Sequence, residues 1–126
     1  MQINWRKGGR KMKISFYKSA SGKQPVAEYL EQLISSKNLN VRDLGLNIAS
    51  NIELLQKSGT EDLETTLCKK LKGYPLWEMK IKNVRIIYCK ISDGTIFLLH
   101  IFTKKSNATP NRHIKTALSR YRDLIH

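Results

Sequence analysis

Apolar and polar side chains alternate over Lys13-Ile14-Ser15-Phe16-Tyr17-Lys18, with Met12, Ile14 and Phe16 on one side, the period of a half-buried strand. After a polar turn at Ser19 to Lys23, Pro25 stands at a first helical position and Val26, Tyr29, Leu30, Leu33 and Ile34 follow at helical spacing, so a helix is expected as far as about Ser36. Asn40 is the expected cap of a second helix with a Leu44, Ile48, Ile52, Leu55 stripe, which Ser58-Gly59 should stop. Residues 60 to 75 read as a connector ending in a Gly/Pro turn. From Leu76 the period changes to two. Trp77, Met79 and Ile81 share one face of a strand and Glu78, Lys80 and Lys82 the other. Asn83 then supports a reversal into Val84 to Ile91, apolar on both faces and therefore central. Asp93-Gly94 implies a two-residue hairpin loop into a return strand, Thr95 to Lys104. Thr109 as cap and Pro110 as first residue open a last helix with Ile114, Ala117, Leu118, Tyr121, Leu124 and Ile125 inward and Arg112, Lys115, Ser119 and Arg122 outward.

The order is β-α-α-β-β-β-α. Helices and hairpin-linked strands in separate runs give an α+β domain with a mostly antiparallel sheet, an N-terminal helical hairpin and a C-terminal helix. Residues 1–11 carry charge but no core pattern and read as a basic extension, with one domain over 12–126. No apolar run approaches membrane-spanning length and no hydrophobic leader opens the chain, so the expectation is a cytoplasmic protein without membrane contact. Cys68 and Cys89 belong to no CxxC pair and read as two buried thiols.

Charge changes the picture by where it lies. The chain of 126 residues has 23 Lys+Arg against 10 Asp+Glu, a formal charge of +13. Residues 1–13 contribute +5, residues 14–68 contribute −2 and residues 69–126 contribute +10. Such loading of one half points to a localised positive surface that faces a polyanion such as nucleic acid. The chain lacks the nucleophile-elbow, P-loop, dinucleotide, HExxH and EF-hand signatures. His100, His113 and His126 are dispersed, so no metal site or other cofactor is expected, and His100 reads as a hydrogen-bonded core histidine.

Hairpin pairing should bring Arg85, at the start of one strand, beside Lys104 and Lys105 at the end of the next, with Lys80 and Lys82 close by. Cations held that close favour an anionic partner, although lysines also blunt exposed sheet edges against aggregation. A nucleic-acid site of this kind suits RNA cleavage by the RNA's own 2′-hydroxyl. Charge grows on the phosphoryl oxygens, Arg and Lys can stabilise it, and a lysine crowded by other cations can serve as a base. Glu78 is the one acid on that face, either base or holder of Lys80 or Arg85, the second being preferred. Trp77 and Tyr88 read as packing, whereas Tyr74 in the basic loop with Lys72 is freer to stack on a base.

Leu71-Lys72-Gly73-x-x-Leu76-Trp77-Glu78-Met79-Lys80, Val84-Arg85-Ile86-Ile87-Tyr88, Leu98-Leu99-His100-x-Phe102-x-Lys104-Lys105 and Thr109-Pro110 with a basic final helix together resemble the HigB (phage Gp49-like) branch of the RelE/ParE toxin superfamily. The resemblance covers about residues 12 to 125 and implies a RelE-like fold. It further implies a type II toxin that enters the ribosome and cuts messenger RNA, restrained by a cognate antitoxin, usually a helix-turn-helix, HigA-like protein. Carried over residue by residue, it gives Arg85 the scissile phosphate, and gives Lys80 and the Lys104-Lys105 pair supporting roles there. Lys82 and Glu78 complete the candidate catalytic set. Lys72, Tyr74, Arg112 and Lys115 are the candidate RNA-binding set. A ParE-like topoisomerase (gyrase) poison and a non-cleaving RNA-binding phage protein are the alternatives, since a fold hosts more than one function.

Overall fold

A computed structural model describes residues 13–63, 67–105 and 109–125. The expected 1–11 extension and Met12 lie outside the described residues. The element order is β1 (Ile14–Phe16), α1 (Pro25–Ile34), α2 (Leu39–Leu63), β2 (Cys68–Lys70), β3 (Trp77–Ile81), β4 (Val84–Lys90), β5 (Ile96–Thr103) and α3 (Asn111–Ile125). The five strands form one sheet in the order β1-β5-β4-β3-β2. Only the β1–β5 pairing is parallel; the others are antiparallel hairpin-type ladders. This is the α+β, RelE-like layout expected of the sequence.

The doubly apolar β4 sits at the centre of that order, as its pattern requires, with six of its seven residues buried. One sheet face carries Met79, Ile81, Val84, Ile86, Tyr88, Ile96, Leu98 and Ile101 against Val26 and Leu30 of α1 and Ile48 and Leu55 of α2. The other carries Ile87, Cys89, Leu99 and Phe102 against Ala117, with Ile114, Leu118, Tyr121 and Leu124 of α3 packed around them. Each fully buried aliphatic side chain contributes roughly 1.5–3 kcal/mol, so both faces hold the sheet. The two helices of the hairpin meet at Gly45, where a Cβ would stand 2.9 Å from both Ile34 Cγ1 and Leu33 Cβ.

Several local expectations are corrected. The cap of α2 is Asn38, whose Oδ1 accepts from the N–H groups of Asn40 and Val41 at 2.9 and 3.2 Å. The helix runs through Ser58-Gly59 to Leu63, because one glycine in a helix costs only about 1 kcal/mol. The connector holds a short edge strand, β2, paired with β3. The β4–β5 loop has three residues rather than two: Ile91 N–H donates to Thr95 and Gly94 N–H to Ile91, with Gly94 at φ +90. At α3, Pro110 supplies the carbonyl that begins the helix, while the Thr109 hydroxyl turns away to Glu78. Ile125, expected inward, is 53% exposed. Among the described residues no helix is long and apolar enough to cross a membrane.

Candidate active site

The strands β3, β4 and β5 all have an end beside the β3–β4 turn. Ile81 pairs with Val84 across the two-residue turn Lys82-Asn83, Lys80 pairs with Arg85, and Arg85 pairs in turn with Phe102. Lys104 continues the ladder, its N–H donating to Asn83 C=O at 2.7 Å. Lys82 is therefore a turn residue at φ 55, and not the third member of a strand face. Lys80, Lys82 and Lys105 are exposed and Lys104 is half-buried. The expected gathering of Arg85 and Lys104-Lys105 at one end of the sheet is met in the backbone register. Among the described residues none of these five cations forms an ion pair.

Arg85 differs from its neighbours. Only 8% of it is exposed, and its Nη1 donates to the Lys82 and Val84 carbonyls at 2.7 and 3.0 Å. The guanidinium braces the turn that carries Lys82. The register sets Arg85 beside this turn, but no local signal in the sequence marks its side chain as folding back onto it.

Glu78 is 3% exposed and accepts a 2.6 Å hydrogen bond from Thr109 Oγ1. It holds neither Lys80 nor Arg85 in an ion pair. Its partner is the residue two positions before α3, so the carboxylate ties the start of that helix to β3.

A second set of groups, not foreseen as a unit, lies on the same sheet face. In the β4–β5 ladder Ile87 faces His100 and Tyr88 faces Leu98, so Leu99 is an extra residue on β5. This bulge puts both Leu99 and His100 toward α3, a re-aiming that such irregularities commonly produce. His100 Nε2 lies 2.8 Å from His113 Nδ1. Arg120 Nη1 donates to Leu99 C=O at 2.7 Å and stands 3.5 Å from His100 Nδ1. Because a guanidinium only donates, the neutral His100 keeps its proton on Nε2 and gives it to His113 Nδ1; His113 then carries its own proton on Nε2. His113 stacks on Phe102 with centroids 3.8 Å apart and planes 10° from parallel. Burial, then Arg120 and His113, pushes His100 down to about 4. Burial and Arg112 lower His113 as well. Both imidazoles are thus neutral at pH 7. His100 is the hydrogen-bonded histidine its setting implied; its partner, thirteen residues away across a bulge, has no local signal.

Arg120 also lies over the Tyr17 ring at 5.5 Å, and Tyr17 donates to Asp123 Oδ2 at 2.6 Å. That bond and burial raise the Tyr17 pKa. Both cysteines are buried free thiols, Cys89 pushed up to about 11 by burial.

The candidate RNA-binding residues divide. Tyr74 and Lys115 line one groove between the β2–β3 connection and α3, while Lys72 and Arg112 are exposed outside it. Trp77 packs on Tyr88, as expected, with centroids 6.4 Å apart, and Lys90 Nζ lies 5.0 Å above its ring.

A mixed five-stranded sheet with a helical hairpin on one face and a single basic helix on the other is consistent with a RelE-like fold, and the family match places the chain in the RelE/HigB toxin-like group. More particularly, the chain belongs to the phage derived protein Gp49-like family (DUF891), whose model matches residues 42–122, close to two thirds of the chain. Among curated proteins no match is found.

Proposed function

We propose that this protein is the toxin of a type II toxin–antitoxin pair and, in the manner of the HigB branch, a ribosome-dependent messenger RNA endonuclease. The observation that carries the reading is the backbone register that gathers Lys80, Lys82 and Lys104-Lys105 at the β3–β4 turn, without an ion pair among the described residues, while Glu78 of the same strand is itself tied to Thr109. Like charges so placed oppose one another, and a bound phosphodiester relieves the opposition.

In the proposed reaction one lysine of the cluster accepts the proton of the ribose 2′-hydroxyl as its oxygen attacks the adjacent phosphorus, the bond to the 5′-oxygen breaks, a second, protonated lysine gives that oxygen a proton, and a 2′,3′-cyclic phosphate and a 5′-hydroxyl result. The four lysines stabilise the charge that develops on the phosphoryl oxygens. Arg85 holds the turn that presents Lys82 and directs its remaining N–H groups to the same phosphate. His113, stacked on the strand neighbour of Arg85, offers its Nε2–H to a phosphoryl oxygen, with His100 fixing its tautomer. Glu78 acts through Thr109 by seating α3. Lys72 and Arg112 contact RNA farther from the cut bond. The reading places the protein in the cytoplasm, with messenger RNA, the ribosome and a helix-turn-helix antitoxin as partners.

Inducing the chain in cells and mapping transcript ends provides the test. Cuts phased with codons that carry 5′-hydroxyl ends are expected. A DNA-damage response without such cuts would instead identify a topoisomerase poison, and growth without either would identify an RNA-binding protein that does not cleave.

A further inference from the structure

The β2–β3 connection and α3 enclose a groove of about 500 Å3 lined by Tyr74, Asn111, Ile114, Lys115, Leu118 and Arg122. It lies toward the start of β3, whereas the lysine cluster lies at its end. The turn that carries its aromatic wall is held by hydrogen bonds, and the Tyr74 side chain packs partly against the core. Tyr74 N–H donates to Leu71 C=O at 3.1 Å, Leu71 N–H to Leu76 C=O at 2.9 Å, and Lys70 Nζ holds the Tyr74 carbonyl at 2.7 Å. Gly73 occupies the position of this turn that needs a left-handed backbone, at φ +88.

The helical wall is a stripe. Positions 111, 115, 118 and 122 follow one another at four-, three- and four-residue steps, with 114 three residues after 111 and four before 118, and so share one side of α3. Ile114 and Leu118 pack into the core beneath and form an apolar floor. Asn111 offers a donor and an acceptor at one end, and Lys115 and Arg122 stand exposed on the rim. A ring on a hydrogen-bonded turn, an apolar floor, one amide and two exposed cations are what a nucleobase and its flanking phosphates require. A helical peptide about 10 Å across would place little more than one turn in this volume, so a folded acidic segment fits less well.

We infer that this groove binds one nucleotide of single-stranded RNA, with the base against Tyr74, its edge read by Asn111 and the phosphates on either side held by Lys115 and Arg122. The assignment rests on the reading of the chain as an RNA-cleaving toxin and adds a base-selecting subsite away from the bond that is cut.

The test uses the full chain and fluorescent hexanucleotides with 2′-O-methyl groups, which cannot be cleaved because the attacking oxygen is blocked. Fluorescence anisotropy should show saturable binding, weakened roughly tenfold or more by Tyr74→Leu. The double variant Lys115→Gln with Arg122→Gln changes only exposed positions and should reduce the salt slope of log K by about 1.4, about 0.7 for each phosphate of the single strand that is no longer neutralised. Wild-type affinity and slope in both variants, or no saturable binding by the wild type, would overturn the groove. Binding of an oligoglutamate peptide in place of RNA, abolished in the same variants, would also overturn it, in favour of a protein-docking site. Cleavage on programmed ribosomes separates the two claims. If Lys80→Gln with Lys82→Gln abolishes cleavage while the groove variants bind RNA normally, the nuclease reading stands and the groove falls. If the wild type cuts nothing but the groove variants no longer bind RNA, the reverse holds.

Discussion

Replacing His100 with Gln should remove most of a pH dependence that the wild type cannot avoid. In the folded protein His100 is pushed down to about 4, first by burial and then by Arg120 and His113, whereas an unfolded chain titrates the same imidazole near 6.5. The folded state therefore resists a proton that the unfolded state accepts. Stability is complete above about pH 6.5 and is lost as pH falls toward 4, since the unfolded chain binds more protons over that window. A gap of about 2.5 units at about 1.36 kcal/mol each gives about 3 kcal/mol as a ceiling. Because the ring is only partly buried, solvent screening brings the expected loss to about 1.5 kcal/mol by pH 4.5. Gln keeps an N–H that can donate to His113 Nδ1 but does not titrate. Urea denaturation followed by tryptophan fluorescence at pH 7.5, 6.5, 5.5 and 4.5 gives both curves. Every other ionisable group is the same in both proteins, so the difference between the curves isolates His100. That difference should be flat above pH 7 and move by about 1.5 kcal/mol in favour of the variant by pH 4.5. Parallel curves, or a His100 resonance titrating near 6.5, would refute the buried relay.

Arg85→Ala should lower the rate of ribosome-dependent cleavage by about 10²- to 10³-fold in single-turnover kinetics, the usual effect of losing one donor to a developing oxyanion. It should also depress the melting temperature, because the Lys82 and Val84 carbonyls lose their partner. Thr109→Val leaves the buried Glu78 without its hydroxyl donor and should cost about 1.5–3 kcal/mol by denaturant titration. Gly45→Ala places a Cβ 2.9 Å from Ile34 Cγ1 and Leu33 Cβ and 3.0 Å from the Ile34 backbone nitrogen. Overpacking there should exceed the gain in helix propensity and leave a net loss of about 1–2 kcal/mol in the same assay.

Much of the fold was legible because its signals are local. The alternation from Trp77 to Ile81, the doubly apolar run of β4 and the amphipathic stripe of α3 each state their own burial, and the sheet order follows from hairpins between them. The misses are positions where tertiary packing overrides a local signal. Gly59 reads as a stop, yet α2 continues through it. The three residues of β2 carry too little pattern to announce a strand, and exist as one because β3 offers an edge. At the site, the register that groups Arg85 with Lys80 and Lys104 follows from two turns and was readable. The Thr109–Glu78 bond spans 31 positions and depends on how α3 docks. The His100–His113 pair depends on a single extra residue in β5, and a period-2 reading of that strand sends the histidine to the wrong face.

If lysines from the ends of β3 and β5 and from the turn beside them grip one phosphodiester, Lys80 and Lys104 are the pair to remove. Neither belongs to the buried core, so Lys80→Ala with Lys104→Ala should leave the melting temperature within a few degrees of wild type. Purified ribosomes programmed with a short message, mixed with excess wild-type protein, should yield a 5′-hydroxyl fragment at a defined codon, and the folded double variant should form it at least a hundredfold more slowly. Equal single-turnover rates in the two proteins would mean that these lysines do not hold the phosphodiester.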